Sequence, residues 1–299
     1  MRAGGLARLG AAKLGAAKLG AAKRGAAKRG AVTLGAVMLG ALLLAGCTAG
    51  PAGSADHGRP WDASAGAETS GTGLSGEVTV FAAASLRTAF DDIAELFEQQ
   101  HPGVEVKPIV YDGSSTLVTQ LQEGARADVL ATADEQSMRL LTDSGLASEP
   151  KIFATNTLVV ITPADNPAEV TSPDDLADAV IVLCAPEVPC GKASTTLLDA
   201  AGVTVTPASL EQNVTAVLQK VAAGEADAGL VYATDAPPSD GPCEAADVCS
   251  FRPEGWEDAV NRYPVTALDG ASEAGVAFAE FVRGPEARRV LDGLGFGAP

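Results

Sequence analysis

Histidine is almost missing from these 299 residues, basic side chains are outnumbered, and aromatic ones are few. The two histidines, His57 and His101, are far apart, and His101 is followed by a proline. Their scarcity excludes an imidazole-rich metal centre and leaves a reactive serine without its usual base. None of the five cysteines forms a C-x-x-C pair, so a finger-type zinc site is excluded too. Lysine and arginine total 21 against 38 acidic residues, a formal charge of -17. Eight of the basic residues lie in 1–46, which hold no acidic one, so the rest of the chain carries 13 against 38. Such a surface repels phosphate backbones, which excludes a nucleic-acid partner. Aromatic residues make up 4% of the chain. That suits helices packed closely on a sheet better than an aromatic-lined pocket.

No apolar run is long enough to span a bilayer permanently. The longest, AVMLGALLLAG, follows a basic low-complexity tract and ends at Cys47. This order matches the charged and apolar regions of a secretory signal, predicted over 1–46. The ending Leu44-Ala45-Gly46-Cys47 resembles the bacterial lipobox, which implies lipidation of Cys47 and anchoring at the outer face of the cell membrane. Residues 47–75 are rich in Gly, Ala, Ser, Thr and Pro and read as a flexible tether. Four cysteines remain: Cys184, Cys190, Cys243 and Cys249. Outside the cytoplasm an even count favours disulfides. Their spacing suggests 184 with 190 and 243 with 249, although four cysteines allow three connectivities.

The body from about Gly76 to Pro299 alternates strand-like and helix-like segments, and its 46% hydrophobic content is enough to build real cores. EVTVFAAA and VEVKPIVYD read as strands, and SLRTAFDDIAELFEQQ places Leu86, Phe90, Ile93 and Phe97 at helical spacing. Later segments repeat the alternation, with strands at DVLATAD, NTLVVIT, AVIVLCAP and GLVYATDA, and a closing helix around GVAFAEFVRGPEARRVL. The pattern predicts an α/β fold of mostly parallel sheets covered on both faces. In such sheets ligands sit at the carboxyl ends of strands, against helix N-termini.

Four turns fit that place. Ser85 follows VFAAA, Ser114 follows the strand ending in Tyr111-Asp112, Cys190 follows IVLC, and Val214 opens VTAVLQ. A helix N-terminus offers unpaired N–H groups and a partial positive charge, so such turns together would make a cage of neutral donors for a small anion. Taken singly, each serine is also an ordinary helix cap.

The strings VTVFAAASL, GSSTL, ADVLATAD, NTLVVITP, VPCGKAS, AGLVYATDA and YPVTAL, in this order, resemble the periplasmic molybdate-binding proteins of ABC transporters. The resemblance covers residues 76–299 and implies a two-lobed type II periplasmic-binding-protein fold. Lobe 1 is then 76–157 plus 266–299, and lobe 2 is 158–265. The implied ligand contacts are Ser85, Ser114, Cys190, Val214 and Tyr232, none of them charged. The family carries alanine where this chain has Cys190, an exchange that a backbone donor tolerates. The implied function is capture of molybdate or tungstate by a monomer, without cofactor or catalysis, and delivery to a membrane permease. Sulfate and phosphate are the alternative ligands. Phosphate keeps a proton and calls for an acceptor, for which Asp112 is the candidate. Two readings compete from other classes: a serine enzyme with Ser85 as nucleophile and Lys192 as base, and a ligand-free adhesion or sensory lipoprotein.

Overall fold

A buried strand handing over to an amphipathic helix sets the pattern that the rest of the chain repeats. In the computed structural model, which describes residues 73–237 and 247–299, β1 (Ser75–Val78) and β2 (Val80–Ala83) lead through a single 3-10 turn into α1 (Arg87–Gln100). All four residues of β2 are buried, as a strand covered on both faces requires. Helix α1 buries Phe90, Ile93 and Phe97 as their spacing predicts, and it stops at His101-Pro102. The predicted signal segment 1–46, Cys47, the expected tether up to residue 72 and Cys243 lie outside the described residues.

The predicted strand VEVKPIVYD is two strands, β3 (Gly103–Val106) and β4 (Val110–Asp112). Pro108 between them has no N–H to contribute to a ladder. β3 pairs with β1 in a small ribbon, whereas β4 joins the main sheet beside β2. There follow α2 (Ser114–Gln122), β5 (Val129–Ala131), α3 (Glu135–Asp143) and β6 (Lys151–Asn156). The chain then crosses at Thr157 into β7 (Leu158–Pro163), β8 (Ile181–Cys184), α4 (Pro189–Ala201), β9 (Ser209–Glu211), α5 (Val214–Ala222), β10 (Ala228–Tyr232) and β11 (Val248–Phe251). It returns in β12 (Asn261–Ala267) and ends in α6 (Glu273–Phe281) and α7 (Pro285–Gly293). The single closing helix expected from the sequence is thus broken at Gly284-Pro285, because proline opens a helix far more readily than it continues one.

Two five-stranded sheets result, ordered β4-β2-β5-β12-β6 and β11-β7-β10-β8-β9. Each is parallel except for one reversed strand, β12 in the first and β7 in the second. The reversed strands are the ones that arrive from the other lobe. β12 lies wholly in the first sheet, so the chain returns before Asn261, and the boundary expected at residues 265 and 266 is corrected upstream. Helix α3 and strands β6, β9, β11 and β12 were not singled out from the sequence. β9 has three residues, too few to show a period.

The few aromatic residues are concentrated where α1, α6 and the first sheet meet. Phe97 and Phe278 pack edge to face at 5.2 Å, and Phe90 lies 5.8 Å from Phe153. Asp128 ties the same layer together: its Oδ2 accepts from Thr79 N at 2.8 Å and its Oδ1 from Ser272 N at 2.7 Å. A Cβ on Gly275 would collide with the Asp128 side chain, so helix α6 can approach only because residue 275 is glycine. Asp128→Ala leaves two backbone donors without partners and is expected to cost about 2 kcal/mol. Urea unfolding should show a lower midpoint with an unchanged slope.

Candidate functional site

The sequence-predicted residues converge. Ser85, Ser114, Cys190, Val214 and Tyr232 all line one small cavity of about 10 Å³ between the lobes, together with Ala83, Ala84, Asp112, Gly113, Ala133, Pro189 and Asn213. No lysine, arginine or histidine is in its wall.

Lobe 1 contributes the 3-10 turn at Ala84–Leu86 and the start of α2; lobe 2 contributes the starts of α4 and α5 and the end of β10. The helix N-termini are built unusually. The N-cap of α2 is Gly113 and that of α4 is Val188, and neither supplies a side-chain cap. Ser114 and Cys190, both in the cavity wall, therefore carry backbone N–H groups that no capping side chain covers. In α5 the cap is Asn213, whose Oδ1 accepts from Ala216 N at 3.1 Å, leaving the Val214 N–H to the cavity. Aligned peptide dipoles add partial positive charge at each of these ends. These helix ends thus supply partial positive charge to the cavity without a cationic side chain.

Three hydroxyls complete the wall. Ser114 Oγ accepts from Ala133 N at 2.9 Å. Ser85 Oγ and the Tyr263 hydroxyl lie 3.0 Å apart, and either can donate. Tyr232 OH accepts from Asn261 Nδ2 at 2.9 Å. Burial raises both the Tyr232 and the Tyr263 phenols well above their ordinary value, so each stays protonated. The Tyr263 ring meets Tyr232 edge to face at 5.7 Å, next to a ladder irregularity at Tyr263-Pro264 that re-aims the strand. Tyr263 and Asn261 were not identified from the sequence as site residues, although Tyr263 opens the quoted string YPVTAL. Asn213 carried a readable signal, an Asn immediately before a helix.

Asp112 faces the cavity but is engaged in closing it. Its Oδ1 accepts from Gly113 N at 2.7 Å and from Asn213 Nδ2 at 2.9 Å, the second bond crossing between lobes. A second cross-lobe tie joins Lys192 Nζ to Asp134 Oδ2 at 3.1 Å. Lys192 thereby lines a different hollow and makes no approach to Ser85, which removes the base required by the serine-enzyme reading. His101 packs on Phe97 at 4.6 Å, away from the cavity.

The Cys184–Cys190 disulfide is formed, with Cα atoms 5.7 Å apart, and it sits directly behind the α4 N-terminus. Gly191 fits there because any Cβ would strike the Ala185 carbonyl. Cys249 is also disulfide-bonded. Its expected partner, Cys243, is among the residues not described.

Two consequences are measurable. A Cβ at Gly113 would overlap the Gln212 carbonyl oxygen of the opposite lobe. Gly113→Ala is therefore expected to hold the lobes apart, increasing the radius of gyration in X-ray scattering with ligand present. Asp235, just after Tyr232, is only half-covered as a residue, yet its Oδ2 is enclosed without a hydrogen-bond partner among the described residues. Burial pushes its carboxyl from 3.8 to about 7, and a backbone bond at Tyr232 offsets only part of that. The native protein then holds a proton that the unfolded chain releases, so stability falls as pH rises from about 4 to about 7. Asp235→Asn should raise the unfolding temperature above pH ~7 and leave it unchanged below pH ~4.

Comparison with known proteins agrees with this geometry. Residues 78–297 match the family of bacterial extracellular solute-binding proteins. The chain is 42% identical over 227 residues to the molybdate-binding protein ModA of Mycobacterium tuberculosis H37Rv, an alignment that takes in 74% of this chain and 85% of that one. Against ModA of Escherichia coli K12 it is 32% identical over 235 residues, 74% of this chain and 89% of that. The solved periplasmic molybdate-binding protein of Azotobacter vinelandii shares the fold, with a TM-score of 0.61 at 20% identity over 74% of this chain and 99% of that. Solute-binding proteins hold their ligands without transforming them, so this protein is not an enzyme. The chain belongs to the bacterial extracellular solute-binding proteins, with the two-lobed type II fold, in the family that includes the ModA molybdate-binding proteins.

Proposed function

We propose that the protein captures molybdate, and tungstate as well, between its lobes and delivers it to an ABC permease. Ser85 and Ser114 bind through hydroxyl and amide, Cys190 and Val214 through backbone N–H, and Tyr232 through its phenol. The observation that carries this reading is the cavity wall itself: hydroxyls and uncapped helix ends converge there with no cationic side chain. Molybdate and tungstate are fully deprotonated dianions near neutral pH, and such a wall answers them with donors alone. Asp112 is the one carboxylate in the wall, and its Oδ1 accepts from Gly113 N and, across the cleft, from Asn213 Nδ2.

Closure completes the donor set, so the bound ligand favours the closed state, and that state is the one a permease recognises. Lipid on Cys47 and the tether after it would keep the monomer near its permease. The relationship to proteins named for molybdate supports the choice of ligand. The net charge of -17 works against any anion at long range, so the local donors must outweigh it.

Thermal unfolding of anion-stripped protein, titrated in parallel with molybdate, tungstate, sulfate and phosphate, tests the proposal. Ligand at ~100 times its dissociation constant stabilises the native state by ~2.7 kcal/mol. The expected result is a shift with molybdate and tungstate only. A larger shift with sulfate or phosphate would keep the fold and replace the ligand, and no shift with any of them would remove the anion reading.

A further inference from the structure

Asn261 stands at the start of β12 in lobe 1 and reaches across to Tyr232 at the end of β10 in lobe 2. Its Nδ2 donates to the Ala133 carbonyl at 3.0 Å and to the Tyr232 hydroxyl at 2.9 Å. A carboxamide has one donating and one accepting end. The Ala133 carbonyl accepts only, so the end that faces it is the NH2, and the second hydrogen of that NH2 falls to the Tyr232 oxygen. Tyr232 then receives one hydrogen bond, and its single proton is left for the side where the cavity and the Tyr263 hydroxyl lie.

We propose that Asn261 is a positioning residue for the anion cage: by donating to Tyr232 it makes that hydroxyl a donor toward the cavity, and it thereby selects oxyanions that carry no proton. The inference rests on the oxyanion reading above and adds the residue that sets the polarity of one of its donors. Ala133 acts at both ends of the arrangement. Its N–H donates to Ser114 Oγ, which frees the Ser114 proton for the cavity, and its C=O orients Asn261. One buried residue of lobe 1 thus directs two hydroxyls on opposite walls, and it does so through its backbone N–H and C=O. The bond from Asn261 to Tyr232 joins the lobes at their crossover, since Asn261 pairs with Asn156 and Tyr232 with Leu158 on either side of Thr157. A protonated oxyanion needs an acceptor in the wall, and at Tyr232 the acceptor side is already occupied.

A double-mutant cycle read by calorimetric titration tests this, with molybdate and inorganic phosphate as probes near neutral pH. Asn261→Leu is expected to weaken molybdate binding about tenfold and phosphate binding less, which narrows the ratio between them. In a Tyr232→Phe background the same substitution should change molybdate affinity by less than about twofold, because the hydroxyl it orients is gone. Additive losses in the double variant, or equal losses for the two anions, would overturn the proposal and reduce Asn261 to a contact between lobes. If Asn261→Leu unfolds at a markedly lower temperature than wild type without anion, Asn261→Asp supplies the second test. It keeps the size and reverses the polarity toward Tyr232, so molybdate should weaken while phosphate gains relative to it; an unchanged ratio again overturns the proposal. Wild-type protein that binds molybdate while both variants keep its selectivity defeats this inference alone. Wild-type protein that binds neither anion defeats the oxyanion reading and this inference with it.

Discussion

Backbone N–H groups that are buried must find an acceptor, and in this protein several of them face an enclosed cavity with no side chain to cover them. Capping oxygens are the usual solution at a helix start, yet α2 begins at Gly113 and α4 at Val188, neither of which has one to offer. A closed cleft with these ends inside it is costly when empty and favourable when an anion supplies the missing acceptors. The two-lobed architecture follows from the same constraint. An open cleft gives the orphan donors to water, a closed one gives them to a ligand, and the ligand chooses between the states.

What lets the lobes meet is mostly the absence of bulk. Gly113 admits the Gln212 carbonyl of the opposite lobe, and Ala83 and Ala84 bring the 3-10 turn to the cavity wall. Polar contacts across the seam include Asp112 with Asn213, Asp134 with Lys192, Asn156 with Thr234 and Asn261 with Tyr232. Of these only Asp134 with Lys192 is an ion pair, and a partly exposed pair contributes little on its own. The Cys184–Cys190 disulfide stiffens the loop just behind one donor, so the α4 N-terminus arrives at the cavity already shaped.

Much of the fold could be read from periodicity, and the failures have physical causes. The spacing of Leu86, Phe90, Ile93 and Phe97 marks α1, because one face of a helix must be apolar to pack on the sheet. Pro108 splits a run that looked continuous, and Gly284-Pro285 splits another. β9, with three residues, is recognisable only through its neighbour β8. The cavity-lining residues Ser85, Ser114, Cys190 and Val214 could be found because each sits where a strand hands over to a helix, a place visible in the chain. Asn261 and Tyr263 could not, since they lie on β12 and act on residues 29 and 178 positions away.

The sequence by itself determined the class of the molecule: an acidic chain with almost no histidine, an α/β alternation, and small residues at successive strand ends. Those properties are local or additive, so composition and spacing express them. Only the tertiary structure decided that four turns and a tyrosine from two lobes face one cavity, that Asp112 bonds across the cleft to Asn213, and that Asn261 reaches Tyr232. Each depends on which groups end up within about 3 Å of each other across the cleft, the range in which a hydrogen bond has a direction. No pattern along the chain encodes that distance, because the partners are joined by folding and not by sequence.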